Sequence, residues 1–195
     1  MGHRLSKIYT RTGDAGTTGL ADGSRVGKDS VRIAALGELD ELNSVVGLLL
    51  TEELPGDVRA LLTGIQHDLF DLGGEMAIPG SVLLNEKSVG ELEAAIDRWN
   101  VELQPLKEFI LPGGTRPAAL AHLARGVCRR AERQLVGLAA VEAVSETGRK
   151  YVNRLSDLFF VLGRTFNRLA GCGDVLWQKN RGRGQEPSAF IPSAE

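Results

Sequence analysis

The chain has 195 residues, of which 43% are hydrophobic and 25% charged, and its formal net charge is −2. These values are typical of one globular domain, and the lack of a basic excess argues against a nucleic-acid partner. Two cysteines are too few for a disulfide framework, and no apolar run reaches the roughly 18 residues of a membrane span. Composition therefore predicts a single cytoplasmic domain over 1–195 that does not enter a membrane.

A glycine- and threonine-rich arm covers about 7–30. It holds, in order, the run KIYTRTGDAGTTG from Lys7 to Gly19 and the basic residues Arg25 and Lys28, with Arg32 just beyond. Glycines let backbone N–H groups approach a ligand, threonine hydroxyls donate hydrogen bonds, and basic side chains attract anions. The arm is therefore a candidate polyphosphate site, although a plain surface loop has the same composition. It differs from a P-loop, because GSRVGKD at 23–29 has three residues between its glycines instead of four.

Five segments with apolar residues every three or four positions predict helices. They cover about 31–53, 58–79, 88–103, 117–142 and 146–170. Ser88 and Glu91 have the spacing of a capping box, and Pro117 fits the first turn of the fourth helix. The apolar centre of the fifth helix predicts that it is buried in the middle. The predicted fold is an all-α five-helix bundle at about 31–177 with a glycine-rich N-terminal arm, followed by a mobile tail at 180–195.

The fourth helix carries a polar stripe. At 100° per residue, one arc of the helix holds His122, Arg125, Arg129, Glu132 and Arg133. The ordinary interpretation of such a stripe is a solvated face with ion pairs. Three arginines against one glutamate leave a positive excess, however, and guanidinium groups bind phosphates and carboxylates, so an anion site is the sharper hypothesis. His67 and His122 are interpreted as polar face residues rather than metal ligands.

Two further positions are candidates for function. Asn153 lies beside the apolar centre of the fifth helix, where a buried amide needs hydrogen-bond partners. Phe109 and Ile110 precede a Pro-Gly-Gly turn between the third and fourth helices. This apolar pair is either a plug in the core or part of a loop that contacts a ligand, and burial statistics favour the plug.

Five motifs in order resemble the PduO-type (propanediol-utilisation type) ATP:cob(I)alamin adenosyltransferases. They are KIYTRTGD at 7–14, GELDELNS at 37–44, FILPGG at 109–114, RRAER at 129–133 and VNRLSDLF at 152–159. The resemblance runs from residue 7 to about 177 and implies a five-helix bundle assembled as a homotrimer, with ATP between subunits and a corrinoid beside it. The implied reaction transfers the 5′-deoxyadenosyl group of ATP to the cobalt of cob(I)alamin, giving adenosylcobalamin and inorganic triphosphate.

The resemblance also implies roles for single residues. The implied ATP-binding residues are Thr10, Arg11, Thr12, Gly13, Thr18, Gly19 and Lys28 in the arm and, from a neighbouring subunit, Arg129, Arg130, Glu132, Arg133 and Asn153. Asp40 and Arg129 match a pair that the family forms across the subunit interface, and Arg125 matches a position near the nucleotide. Phe109 matches the aromatic residue that packs below the corrin and keeps the cobalt free of its lower ligand. The candidate catalytic residues are therefore Asp40, Phe109, Arg125 and Arg129.

The implied chemistry needs no side-chain nucleophile, because Co(I) itself attacks C5′ of the ribose. The protein has to align the two atoms and stabilise charge on the leaving triphosphate. Mg²⁺ is expected to be bound to the triphosphate, and no side chain is predicted as a metal ligand. The implied partners are ATP, the reduced corrinoid, two further copies of the chain, a reductase and an enzyme that uses adenosylcobalamin. Two other hypotheses are a helical phosphotransferase, which would leave ADP, and a non-catalytic trimeric carrier or sensor of ATP or cobalamin.

Overall fold

A computed structural model describes residues 8–179, so Lys7 and the tail predicted to be mobile at 180–195 lie outside the described residues. The helices are α1 (Val31–Leu49), α2 (Gly56–Ala77), α3 (Glu86–Asn100), α4 (Arg116–Ala139) and α5 (Glu146–Leu169). The predicted five-helix bundle with an N-terminal arm is confirmed. The arm also contains an antiparallel hairpin that was not predicted, formed by β1 (Thr17–Gly19) and β2 (Arg25–Gly27). No described helix combines the length and apolarity that crossing a bilayer requires.

Side-chain caps fix where four of the five helices begin. The capping residues are Ser30 for α1, Asn85 for α3, Thr115 for α4 and Ser145 for α5. Each side-chain oxygen accepts a hydrogen bond from a backbone N–H of the first turn, which would otherwise have no partner. The predicted capping box of Ser88 and Glu91 is wrong, because α3 begins earlier and Ser88 is already inside it. Pro117 lies in the first turn of α4, as predicted.

Helix α5 is the buried centre of the bundle. It packs against α3 and α4, while α1 packs against α2 and α4. Residues 161–167 of α5 are all buried, and Tyr151 and Phe159 are the largest side chains that are fully enclosed. The prediction from its nearly continuous apolar centre is confirmed, since a helix that is apolar on all sides must be covered on all sides.

An ion pair between buried Arg32 and exposed Glu142 closes the end of the bundle that faces the arm. Arg32 is only 3% exposed and donates to the carboxylate of Glu142 (2.7 Å) and to the carbonyl oxygen of Met76 (2.9 Å). It therefore joins α1 to the end of α2 and to the segment after α4. The interpretation of Arg32 as a source of positive charge for a ligand is wrong. The arm lies at this end too, since Ala21 N–H donates to the carbonyl oxygen of Ala77.

Candidate active site

The arm folds around a cavity of about 310 Å³. The lining residues are Tyr9, Thr10, Arg11, Thr12, Gly13, Asp14, Thr17, Thr18, Gly19, Arg25 and Lys28. All seven arm residues that the resemblance implied for ATP are in this set, so the fold gathers them around one space. The lining is rich in hydroxyl and backbone donors and carries three cationic side chains, a composition suited to an anionic ligand.

Arg25 holds the arm in this shape. Its guanidinium donates to the carbonyl oxygens of Thr12 (2.7 Å) and Thr17 (3.1 Å) and to the hydroxyl of Thr17 (2.8 Å). Strand β2 therefore fastens the preceding loop through a side chain as well as through the hairpin. Since these bonds tie one side of the guanidinium to the arm itself, Arg25 shapes the cavity. Lys28 and Arg11 are the other two cations of the lining.

Lys28 places a cation inside the cavity. Its backbone N–H donates to the carbonyl oxygen of Gly16 (2.9 Å), which fixes the residue at the end of the hairpin. Its side chain passes against Gly13, where a Cβ would lie 3.0 Å from the ammonium nitrogen. Among the described residues the ammonium of Lys28 has no carboxylate partner. An unpaired cation surrounded by donors is the arrangement that a phosphate group requires.

The second set of predicted residues lies on α4 and α5. Asn153 is half-buried and donates to the carboxylate of Glu132 (2.9 Å), so the amide has the partner that its burial demands. Arg133 donates to the carbonyl oxygen of Arg129 (2.9 Å) one turn earlier. The guanidinium of Arg129 is exposed and has no ion-pair partner within residues 8–179. The structure thus brings Arg129, Glu132, Arg133 and Asn153 to one face.

Arg130 has different surroundings from its neighbour. Its guanidinium binds Glu38 (2.5 Å) and Glu41 of α1, and these two carboxylates raise the pKa of Arg130. Successive helical residues are 100° apart, so Arg129 and Arg130 point to different sides of α4. Within one chain Arg130 therefore fastens α4 to α1, whereas Arg129 is free to bind a ligand or another subunit.

Asp40 lies at an apolar groove between α1 and α2. The groove has a volume of about 560 Å³, and its lining residues are Ile33, Leu36, Gly37, Leu39, Asp40, Asn43, Leu69, Phe70, Gly73, Gly74 and Ala77. The carboxylate of Asp40 forms no ion pair with any residue that the structure describes. The implied pair of Asp40 with Arg129 is thus not formed inside one chain, as an interface pair would require.

His122 and Arg125 flank the ring of Phe160. The His122 ring centroid lies 6.1 Å from that of Phe160, and the Arg125 guanidinium lies 6.0 Å from the same centroid. His122 is 6% exposed, so its interpretation as a polar face residue is wrong; His67 is exposed, as predicted. Burial, and secondly the charge of Arg125, lowers the pKa of His122 below its ordinary 6.5. Neither imidazole nitrogen nor Nε of Arg125 has a hydrogen-bond partner among the described residues.

Phe109 is presented to solvent on an ordered loop. Its side chain is 77% exposed, so the core-plug hypothesis is wrong for Phe109, while Ile110 is half-buried. The ring packs edge-on against Trp177, with centroids 6.5 Å apart and planes at 75°. Its carbonyl oxygen accepts from the N–H of Trp177 (2.7 Å). An exposed aromatic residue on a loop held in this way is suited to contact a large apolar ligand.

The predicted residues fall into separate places within one chain. The arm cavity is lined by residues 9–28 only, and none of the residues around it comes from α4 or α5. The face with Arg129 and Asn153 belongs to α4 and α5, and Asp40 borders a groove between α1 and α2. Within the described ranges no group of three or more His, Cys, Asp or Glu residues could hold a metal ion.

Residues 8–166 match the family described as cobalamin adenosyltransferase. A cobalamin adenosyltransferase from Cupriavidus metallidurans is 65% identical over 182 residues, covering 93% of this chain and 99% of the relative. A corrinoid adenosyltransferase from Bacillus subtilis is 48% identical over 181 residues, covering 89% and 93%. A variant PduO-type ATP:corrinoid adenosyltransferase from Lactobacillus reuteri, solved in complex with cobalamin and ATP, superposes with a TM-score of 0.85 at 37% identity, covering 89% of this chain and 100% of that one. Sequence and fold agree along most of the described residues, and the chain belongs to the cobalamin adenosyltransferase family.

Proposed function

We infer that this chain is an ATP:cob(I)alamin adenosyltransferase, which transfers the 5′-deoxyadenosyl group of ATP to the cobalt of cob(I)alamin. The observation that carries this conclusion is the superposition on a corrinoid adenosyltransferase that holds cobalamin and ATP. The lone pair of Co(I) forms the new Co–C5′ bond, the C5′–O bond breaks, and its electron pair leaves with inorganic triphosphate. No side chain has to act as a nucleophile, so the protein works by alignment and by electrostatic stabilisation of the leaving group.

The arm is proposed to hold the triphosphate. Lys28 supplies an unpaired ammonium, and the threonine hydroxyls and backbone N–H groups around it supply further donors. Charge that builds up on the leaving triphosphate strengthens each of these hydrogen bonds in the transition state. Arg25 keeps the cavity in shape through its bonds to Thr12 and Thr17, so the donors are in position before ATP binds.

We place the complete site between subunits of a homotrimer. The arm cavity lacks any residue of α4 or α5, and Arg129 and Asp40 each lack an ion-pair partner among the residues described. If a neighbouring subunit offers its Arg129, Arg133 and Asn153 to the arm, the two half-sites complete each other. An Asp40–Arg129 ion pair across the interface would then order this junction, and Arg125 would lie close to the nucleotide.

Mg²⁺ is proposed to bind through the nucleotide. Mg²⁺ in nucleotide sites takes most of its ligands from phosphate oxygens and water, with one or two carboxylates. The lining of the arm cavity contains one carboxylate, that of Asp14. This donor set fits a magnesium ion held mainly by the triphosphate, and the bound ion would neutralise part of the charge on the leaving group.

Phe109 is proposed to lie below the corrin. An apolar wall there excludes water and the lower base from cobalt, which leaves a four-coordinate Co(II) state that is easier to reduce to Co(I). The side chain is exposed and its backbone is anchored, as this contact requires. The reductase, the enzyme that receives adenosylcobalamin and the cytoplasmic location remain predictions from the sequence.

Absorbance spectroscopy tests the proposed reaction. Chemically prepared cob(I)alamin is mixed with MgATP and the protein, and conversion to the spectrum of adenosylcobalamin with one equivalent of inorganic triphosphate is expected. Release of ADP would instead indicate a phosphotransferase. Binding of ATP and corrinoid without conversion would indicate a carrier or sensor, and either result would overturn the proposal.

A further inference from the structure

Arg164 is a buried cation that lies outside the residues considered so far. Its side chain is 7% exposed, and its Nε donates to the carboxylate of Asp174 (2.7 Å), which is itself largely buried. A terminal nitrogen of the same guanidinium donates to the carbonyl oxygen of Gln104 (2.7 Å). One side chain of α5 therefore binds two segments that are 70 residues apart in sequence, one before α4 and one after α5.

These two segments meet at Phe109. The N–H of Leu111 donates to the carbonyl oxygen of Val175 (2.8 Å), and the N–H of Trp177 donates to that of Phe109 (2.7 Å). The two bonds form a short antiparallel pairing around Ile110 and Leu176. Arg164 thus anchors each partner of this pairing before it begins, at Gln104, five residues before Phe109, and at Asp174, directly before Val175.

One turn further along α5, Asn167 fixes the far side of the same loop. Its side-chain oxygen accepts from the N–H of Thr115 (2.9 Å), and its amide donates to the carbonyl oxygen of Gly113 (3.1 Å). Gly114 has a φ of +101° and lies so close that a Cβ there would overlap the Asn167 side chain. The loop that carries Phe109 is therefore held by buried polar side chains of α5 on both sides.

We propose that Arg164 is a positioning residue for Phe109, acting through Gln104 and the Asp174 segment. This inference rests on the proposed function, in which Phe109 packs below the corrin. Core packing does little to fix the position of a ring that is mostly exposed, so the position of Phe109 depends on how its backbone is held. Arg164 suits this task, because a planar guanidinium donates in two fixed directions at once, whereas a lysine ammonium is a single charge on a flexible stem.

The first test measures the loop itself and needs no substrate. In Arg164→Met, hydrogen exchange at the amides of Leu111 and Trp177 is expected to be at least about tenfold faster than in the wild type, because local opening governs their protection. The matched control is Arg98→Met, which breaks an exposed ion pair with Asp57 between α3 and α2. Unchanged exchange at both amides in Arg164→Met would overturn the proposal even if the enzyme is fully active.

The second test measures the consequence for the reaction. Adenosylation that starts from cob(II)alamin and a reductant is expected to fall at least about tenfold in Arg164→Met, since small displacements of a positioned group cost this much. Adenosylation of prepared cob(I)alamin is expected to stay within about threefold of the wild type. In a Phe109→Ala background the same substitution is expected to add less than about a twofold loss, because two residues that act through one contact are not additive.

The outcomes separate this proposal from the proposed function. Equal losses from both cobalt states, or full additivity with Phe109→Ala, would show that Arg164 is only structural. A protein without any adenosyltransferase activity would refute the proposed function, and the exchange measurement would still decide whether Arg164 holds the loop.

If Arg164→Met does not fold, Asp174→Ala removes one partner at the edge of the bundle, and it is expected to raise exchange at Trp177 and to lower the rate from cob(II)alamin selectively.

Discussion

Gly13 lies so close to Lys28 that a Cβ on the glycine would be 3.0 Å from the ammonium nitrogen and 3.1 Å from the carbonyl oxygen of Thr17. Since the φ of Gly13 is not in the left-handed region, the glycine is needed for space rather than for backbone conformation. Because Gly13 has no side chain, the ammonium of Lys28 can lie inside the cavity that the arm residues line.

Replacement of Lys28 by Ala is expected to weaken MgATP binding by at least about tenfold, because a charge-assisted hydrogen bond contributes about 1.5–3 kcal/mol. The turnover number at saturating ATP should change much less. Calorimetric titration with MgATP measures the affinity, and Lys87→Ala is the control, since Lys87 pairs with Glu91 on the surface of α3. An unchanged dissociation constant for Lys28→Ala would mean that the arm is an ordinary surface loop.

Arg129→Ala is expected to lower turnover at least about tenfold, because in the proposed site it removes a charged donor to the triphosphate and leaves Asp40 without its proposed partner across the interface. Arg98→Ala is the matched control, because Arg98 forms an exposed ion pair with Asp57 away from these residues. Steady-state rates with cob(I)alamin measure the effect. Wild-type turnover and ATP affinity in Arg129→Ala would show that the stripe on α4 is only a solvated face.

Mixing two impaired variants, assayed at an ATP concentration far below saturation, tests whether the site is shared between subunits. Lys28→Ala damages the arm and Arg129→Ala damages the face on α4, so each homotrimer lacks one half of every site. In trimers formed from equal amounts of both chains, about one quarter of the sites combine an intact arm with an intact face. Activity at this ATP concentration is expected to rise above that of either variant alone, to at least about that fraction of the wild type, after co-refolding, with light scattering to confirm the trimer. No recovery would place the whole site within one chain.

Periodicity was enough to predict the helices, because each one buries a face that repeats every 3.6 residues. The gathering of the arm residues could also be predicted, since all residues that line the arm cavity lie between positions 9 and 28. Contacts between segments that are far apart in the sequence could not be predicted. Arg32 is joined to Glu142 across 110 positions, and nothing in either neighbourhood indicates the partner.

The sequence could not predict which of the two adjacent arginines on α4 is paired within the chain. Helical geometry separates the directions of Arg129 and Arg130 by 100°, but the motif RRAER gives both the same charge. Only the packing of α1 against α4 shows that Glu38 and Glu41 meet Arg130 and leave Arg129 unpaired. The support of Phe109 was missed for the same reason, because Arg164 and Asn167 look like ordinary polar residues of a helix.

His122 is expected to make the free energy of unfolding depend on pH. Its pKa is lowered in the fold by burial and by Arg125, against a weaker opposite effect of Asp174, whereas the unfolded chain has the ordinary value of 6.5. As the pH falls below that value, His122 binds a proton in the unfolded state but not yet in the folded state. The free energy of unfolding therefore decreases. Urea unfolding between about pH 5 and 7.5 measures the slope, and His122→Asn should flatten it. An identical slope in that variant would contradict this assignment.

The role of Phe109 can be separated from a structural one by comparing two rates with the thermal midpoint of one variant. Since the side chain is 77% exposed and its ring contacts Trp177 edge-on, Phe109→Ala should cost no more than about 1.5 kcal/mol of stability. A buried phenylalanine would cost about 3–5 kcal/mol. Adenosylation from cob(II)alamin should nevertheless slow sharply, because water or the lower base can return to cobalt and make reduction harder. Adenosylation of prepared cob(I)alamin should suffer much less, since the difficult electron transfer has already taken place.

The control for that comparison is Val101→Ala, which truncates an equally exposed apolar side chain in the segment after α3. It should leave both rates and the thermal midpoint near the wild type, because a lone exposed side chain contributes about 0.5 kcal/mol or less. ATP binding and light scattering on Phe109→Ala should match the wild type as well, because the ring lies apart from the arm cavity. A loss of the same size from both cobalt states, together with a large fall in the thermal midpoint, would mean that Phe109 only stabilises the fold. A selective loss from cob(II)alamin at an unchanged midpoint is the result that an apolar wall below the corrin requires.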